Sequence, residues 1–127
     1  MKSEPVSDYA WNANSSNNII HQADWTRPDA ACKSGYTFDQ VFGSSSKTSS
    51  LYNSSVRSIV HASFGGYHGS VFAYGQTSTG KTHVMMGTKE ELGCVPLAVE
   101  DIFRCIKTNN LSNRQFLLRV SYMEIYK

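Results

Sequence analysis

The chain has 127 residues, 40% of them hydrophobic and 12% aromatic. That is enough apolar material for one small domain, not two, and too much for disorder over most of the length. Twelve basic and ten acidic residues leave a net charge of +2, too weak a bias to argue for nucleic acid or a membrane surface as partner.

No run of ~18 apolar residues could form a transmembrane helix. No apolar signal core follows Met1-Lys2-Ser3-Glu4-Pro5, so the expectation is an intracellular protein. Cys32, Cys94 and Cys105 are odd in number and lack C-x-x-C spacing, so neither a disulfide framework nor a zinc motif is indicated. His21, His61, His68 and His83 form no linear metal-ligand pattern.

Residues 1–18 are polar, with an Asn/Ser cluster from Asn12 to Asn18. They read as a frayed start and a loop, with Trp11 as an anchor. Asn18-Ile19-Ile20-His21 is a candidate short strand. Asp24 to Gly35 is a connection broken by Pro28. Tyr36-Thr37-Phe38 is β-rich and suited to pair with the first strand. Val41 and Phe42 follow as docking residues. Gly43 to Ser50 is a polar loop ending in helix-capping serines, Ser49 or Ser50. Leu51 to Phe64 has a helical period: Leu51, Tyr52, Val56, Ile59, Val60 and Phe64 share one face. Gly65-Gly66 ends it.

Ser70-Val71-Phe72-Ala73-Tyr74 is a short apolar run and reads as a strand buried on both faces. It leads into Gly75-Gln76-Thr77-Ser78-Thr79-Gly80-Lys81-Thr82, which fits G-x-x-x-x-G-K-[ST] at every fixed position. The chemistry requires this spacing. Two glycines let the backbone turn successive N–H groups on a phosphate. Lys81 offers a cation to the outer phosphates, and the Thr82 hydroxyl suits Mg²⁺. A short helix from Lys81 to Met86 would add its positive end.

Gly87 to Gly93 reads as charged and flexible. Pro96 stands where a helix begins, and Leu97, Ala98, Val99, Ile102, Phe103 and Ile106 form its apolar face. Phe116 to Tyr126 alternates like a long strand. Helix and strand alternating around the glycine loop imply an α/β fold with a largely parallel sheet.

These residues resemble one family. Phe72-Ala73-Tyr74 with the loop to Thr82 is similar to the nucleotide loop of kinesin motor domains. Tyr36-Thr37-Phe38-Asp39-Gln40-Val41-Phe42, Leu92-Gly93-Cys94-Val95-Pro96, Asp101-Ile102-Phe103 and Val120-Ser121-Tyr122-Met123-Glu124-Ile125-Tyr126 continue the resemblance in the same order. Met85-Met86-Gly87 together with Phe116 to Tyr126 is most similar to the centromere-associated, CENP-E-like kinesins.

The resemblance implies a P-loop NTPase-like kinesin fold, incomplete here: a polar lead over 1–10, then the N-terminal portion of a motor domain over 11–127. It implies ATP hydrolysis coupled to movement on microtubules, and a place on the microtubule cytoskeleton, the spindle or the kinetochore. Carried over by position, Gly75, Gln76, Thr77, Ser78, Thr79, Gly80, Lys81 and Thr82 bind the phosphates. Thr82 ligates Mg²⁺, and His83 packs against the adenine. No residue is assigned to catalysis, and Glu124 reads as structural.

The family's opening Arg-x-Arg-Pro segment has no match; Thr26-Arg27-Pro28 is in the wrong place. The two switch segments would lie beyond Lys127, where this chain also has Lys in place of the family's usual Asn. The isolated chain is therefore expected to be marginally folded and to turn ATP over poorly or not at all. The alternative is a non-catalytic nucleotide-binding or interaction fragment. A small GTPase is a third reading, but no Asn-Lys-x-Asp motif supports it.

Overall fold

The computed structural model describes residues 11–22, 35–108 and 115–126. The polar lead over 1–10, the connection over 23–34 with Pro28 and Cys32, the polar stretch 109–114 and Lys127 lie outside the described residues.

The first unit is a three-stranded antiparallel meander of β1 (Trp11–Asn14), β2 (Ile19–Gln22) and β3 (Gly35–Thr37), in that order. Trp11 pairs with Gln22 and Asn14 with Ile19; Ile19 in turn pairs with Thr37 and His21 with Gly35. The pairing of the Ile19 and Tyr36 segments is as the sequence implies. The strand at Trp11–Asn14, read above as loop, is not. Its polar residues lack β propensity, and the turn makes the strand instead. Asn14 Oδ1 accepts the Ser16 and Asn17 N–H groups at 3.0 and 3.1 Å, and Asn18 sits at φ +55°, a region that asparagine tolerates better than most residues.

Asn18 then clamps the chain beyond β3. Its Nδ2 donates to Asp39 O, and its Oδ1 accepts from the Val41 N–H, both at 3.1 Å. Trp11 and Tyr36 meet across the meander with ring centroids 6.1 Å apart.

The second unit is helical. α1 (Thr48–Leu51) runs through a π-helical turn (Tyr52–Val56) into α2 (Arg57–Ser63). α3 (Lys81–Met86) and α4 (Cys94–Thr108) pack beside them. The core is small: Tyr52, Val56 and Cys94 are buried, with Leu51, Val60, Val84, Met85, Leu97 and Ala98 packed around them. Val99 and Phe103, placed on the apolar face by periodicity, are exposed. The face that α4 buries is narrower than the apolar stripe its sequence offers.

Neither Ser49 nor Ser50 caps α1. The helix starts earlier, after Lys47, with no side-chain cap of its own and no acidic residue in its first turn. Glu91 supplies both from a distance: its Oε1 accepts the Thr48 N–H at 2.7 Å. This hydrogen bond, with smaller help from His83 and Lys47, holds the Glu91 carboxyl below its usual range.

A carboxylate with a depressed pKa contributes stability above its unfolded value, ~4.3, and loses that contribution as pH falls through the lower folded value. The helical circular dichroism of the wild type should therefore weaken below about pH 4.3 through this contact. Glu91→Gln keeps the shape but not the charge, and should show lower helicity at neutral pH and lack this component of the acid transition.

Glu91 can reach because the stretch 87–93 is a tight turn, not the flexible loop expected. Gly87 and Leu92 form an antiparallel bridge, the Thr88 N–H donates to Glu91 O at 2.7 Å, and the Gly93 N–H donates to Met86 O at 3.3 Å. Pro96 lies in the first turn of α4, where its missing N–H costs no helical bond.

Two expected strands are not strands. Ser70 to Tyr74 and Phe116 to Tyr126 join no ladder, and the only sheet among the described residues is antiparallel, not parallel. Phe72 is 89% exposed, Tyr74 101% and Val120 94%. An apolar run becomes a buried strand only when neighbouring strands take its N–H and C=O groups and layers cover its faces. Among the described residues no strand pairs with either run, and their side chains stay exposed. The extended alternation survives locally: Glu124 accepts hydrogen bonds from the Tyr122 and Tyr126 hydroxyls on the same side of the chain. Phe116 meets Phe64 edge-on at 6.0 Å.

Candidate functional site

The glycine loop runs from the extended segment into α3. Gly75 takes φ +155°, and a Cβ there would lie 2.7 Å from Thr79 Oγ1. Gly80 takes φ +89° as the residue before α3. Ser78, between them, takes φ +66°, which costs a non-glycine residue roughly 1–2 kcal/mol. The turn is held by its own side chain, as Thr79 Oγ1 donates to Gln76 O at 2.8 Å and the Thr79 N–H donates to the same oxygen at 3.4 Å. Strain kept in an exposed loop points to a task other than packing.

Lys81, the first residue of α3, turns back over this loop. Its Nζ donates to Gly75 O at 2.8 Å and to Gln76 O. Among the described residues no carboxylate pairs it. The ammonium is therefore held at the loop mouth by neutral carbonyls, which leave its charge uncompensated and available to an anion. The Ser78 and Thr82 hydroxyls are exposed and make no hydrogen bond among the described residues. Thr82 can offer one oxygen to a hard cation, whose remaining ligands would be water and phosphate oxygens. His83 lies on the exposed side of α3. The residues from Gly75 to Thr82 thus form one contiguous loop, exposed except at the half-buried Gly80 and Lys81, with His83 next in the chain.

A second constellation went unread in the sequence. Asp101 on α4 is 3% exposed, yet charged. Tyr52 Oη donates to its Oδ2 at 3.2 Å and Arg57 Nε at 3.1 Å. His61 Nε2 lies 3.1 Å from the same oxygen, and Arg104 Nη1 reaches Oδ1 at 3.5 Å. Burial alone would raise the Asp101 pKa; the hydrogen bonds from His61 and Tyr52 and the charge of Arg57 outweigh it and hold the carboxyl below its usual range.

The π-helical turn makes this possible. In a regular helix at about 100° per residue, Tyr52 and Arg57 would point about 140° apart. Five residues are roughly one turn of a π-helix, and four are roughly one turn of an α-helix. Tyr52, Arg57 and His61 therefore all come round to Asp101. The one signal in the sequence is a lone acid on the apolar face of α4, one turn beyond Leu97.

A family model described as kinesin motor domain matches residues 2–127. Centromere-associated protein E of Homo sapiens is 44% identical over 110 residues, 87% of this chain and 4% of that protein. The kinesin-like protein tea2 of Schizosaccharomyces pombe is 50% identical over 91 residues, 72% of this chain and 14% of that protein. The kinesin-like protein KIN-7E, chloroplastic, of Oryza sativa subsp. japonica is 42% identical over 119 residues, 94% of this chain and 10% of that protein. The chain thus spans a small part of the length of each relative.

Proposed function

The chain belongs to the kinesin motor-domain family, and from that premise we propose that it carries the nucleotide-capturing part of an ATP-dependent microtubule motor. Residues 11–127 correspond to the N-terminal portion of such a domain, after a polar lead over 1–10. The central sheet of that domain would take up the extended segments Ser70 to Tyr74 and Phe116 to Tyr126, whose apolar faces are uncovered here.

In this reading the backbone from Gly75 to Gly80 cradles the phosphates of ATP. Lys81 leaves its carbonyl partners for the outer phosphates, and Thr82 places its hydroxyl on Mg²⁺. His83 packs against the adenine. Bound Mg²⁺ would neutralise phosphate charge. Hydrolysis by such sites comes from positioning and electrostatics, and it would further need a group that orients water, a role that no residue in this chain is assigned. ATPase turnover, grip on microtubules and a spindle or kinetochore location are therefore proposed for the whole protein.

The observation that carries the reading is Lys81, an uncompensated cation held against the carbonyls of a strained glycine loop. It is tested by equilibrium binding of a fluorescent ATP analogue with Mg²⁺. Saturable binding, displaced by ATP much more readily than by GTP and weakened by chelation of Mg²⁺, is expected. Absence of saturable binding, or equal displacement by GTP, would count against an ATP loop.

A further inference from the structure

Away from the glycine loop, three side chains of different ligand chemistry converge between two helices. His61 on α2, with Asp101 and Cys105 on α4, each present one ligand atom, and these atoms all lie within 4.8 Å of one another. His61 Nε2 is 3.1 Å from Asp101 Oδ2 and 3.7 Å from Cys105 Sγ. Asp101 and Cys105 are four residues apart, one above the other on the same face of α4. Tetrahedral Zn²⁺ with Zn–N and Zn–O near 2.0–2.2 Å and Zn–S near 2.3 Å needs N···O separations of about 3.3 Å and N···S separations of about 3.5 Å. The two His61 separations differ from these by only a few tenths of an ångström, and the Asp101 oxygen and the Cys105 sulfur lie within 4.8 Å of each other.

We propose that His61, Asp101 and Cys105 form a Zn²⁺ site, with water as the fourth ligand. A mixed imidazole, carboxylate and thiolate set selects Zn²⁺ over Mg²⁺ and Ca²⁺, which prefer oxygen alone. His61 is half exposed and gives the ion a way in, while Asp101 is buried and gives it a fixed anchor.

Two cations compete for the carboxylate. Arg57 and Arg104 both contact Asp101, but their side chains are 44% and 63% exposed, so each can swing into water when the dication replaces it. Tyr52 stays, and its hydroxyl hydrogen bond to the same Oδ2 orients the carboxylate, as outer hydrogen bonds do at metal centres. On binding, the Cys105 thiol gives its proton to solvent and becomes the thiolate ligand. His61 binds as neutral imidazole through Nε2. The ion would tie α2 to α4, which pack against each other beside the small core.

The test is titration of the full chain with Co²⁺ as a spectroscopic stand-in, followed by Zn²⁺. Thiolate-to-cobalt absorption and tetrahedral visible bands should appear at one equivalent, and Zn²⁺ should abolish them. Cys105→Ala and His61→Ala should lose the signal, whereas Cys94→Ala should keep it. Tyr52→Phe should retain the signal with affinity lowered ~10–100-fold, in the range of lost outer hydrogen bonds. Circular dichroism on each sample separates loss of a ligand from loss of the helices.

As a second readout, Zn²⁺ should raise the midpoint of helical melting in the wild type and not in Cys105→Ala. Wild-type chain with its helices intact and no tetrahedral cobalt signal would overturn the proposal. So would a signal, or a Zn²⁺-dependent shift, that survives both Cys105→Ala and His61→Ala. Neither result bears on the glycine loop, whose residues are not involved.

Discussion

Lys81→Ala is expected to abolish saturable binding of the ATP analogue at concentrations that saturate the wild type. A charge-assisted hydrogen bond to a phosphate contributes about 1.5–3 kcal/mol, so loss of this one cation should weaken binding roughly ten- to hundredfold or more. The fold should not suffer. Gly75 O and Gln76 O, the present partners of Lys81, lie in an exposed loop where water replaces the ammonium. Helical circular dichroism should match the wild type while binding is lost.

Lys81→Arg is not a rescue. A rigid planar fork does not reproduce a compact point charge on a flexible stem, so binding should remain well below wild type. Gly75→Ala probes the backbone separately: its Cβ would press on Thr79 Oγ1, opening the turn and weakening binding without removing any charge. Wild-type affinity in Lys81→Ala would show that the loop does not carry the nucleotide.

Tyr52 is expected to be the most sensitive residue for stability. It is 4% exposed in a core that buries few side chains, and it also donates to the buried Asp101. Aromatic-to-alanine changes in cores cost about 3–5 kcal/mol. With so small a core, Tyr52→Ala should remove any cooperative urea transition followed by helical circular dichroism. Tyr52→Phe keeps the ring and loses one hydrogen bond, about 1 kcal/mol, and should lower the midpoint without removing the transition.

The same pair gives an alkaline test. Burial, then the charge and hydrogen bond of Asp101, push the Tyr52 phenol up to about 12. A raised folded pKa contributes stability that is complete below the unfolded value, ~10, and is lost as pH rises through the folded value. The wild type should lose stability between about pH 10 and 12, and Tyr52→Phe should lack that component. An identical alkaline profile in both would mean that Tyr52 does not carry it.

Short-range chemistry was legible in the residues alone. The glycine loop and α3 stand where the G-x-x-x-x-G-K-[ST] pattern and the run to Met86 place them, because such a loop is defined by local backbone freedom and the residue at each position. The pairing of Ile19 with the Tyr36 segment was legible for a similar reason, two short β-rich runs close in sequence. Family membership was legible because several motifs recur in one order.

Other features were set by turn chemistry or by residues distant in sequence. Trp11–Asn14 became a strand through the adjacent turn at Asn14 and Asn18, not through its own propensity. α1 took its cap from Glu91, 43 residues away. The π-helical turn shifted the phase of the helix, and only that shift, together with the packing of α2 on α4, gathered Tyr52, Arg57 and His61 on Asp101.

The apolar runs Ser70 to Tyr74 and Phe116 to Tyr126 mark the limit in the other direction. Their alternation and hydrophobicity are local properties, and the sequence carries them in full. Whether such a run becomes a strand is decided by partners for its backbone and cover for its faces. Hydrogen-bond pairing and burial belong to the tertiary structure, and among the described residues these runs have neither.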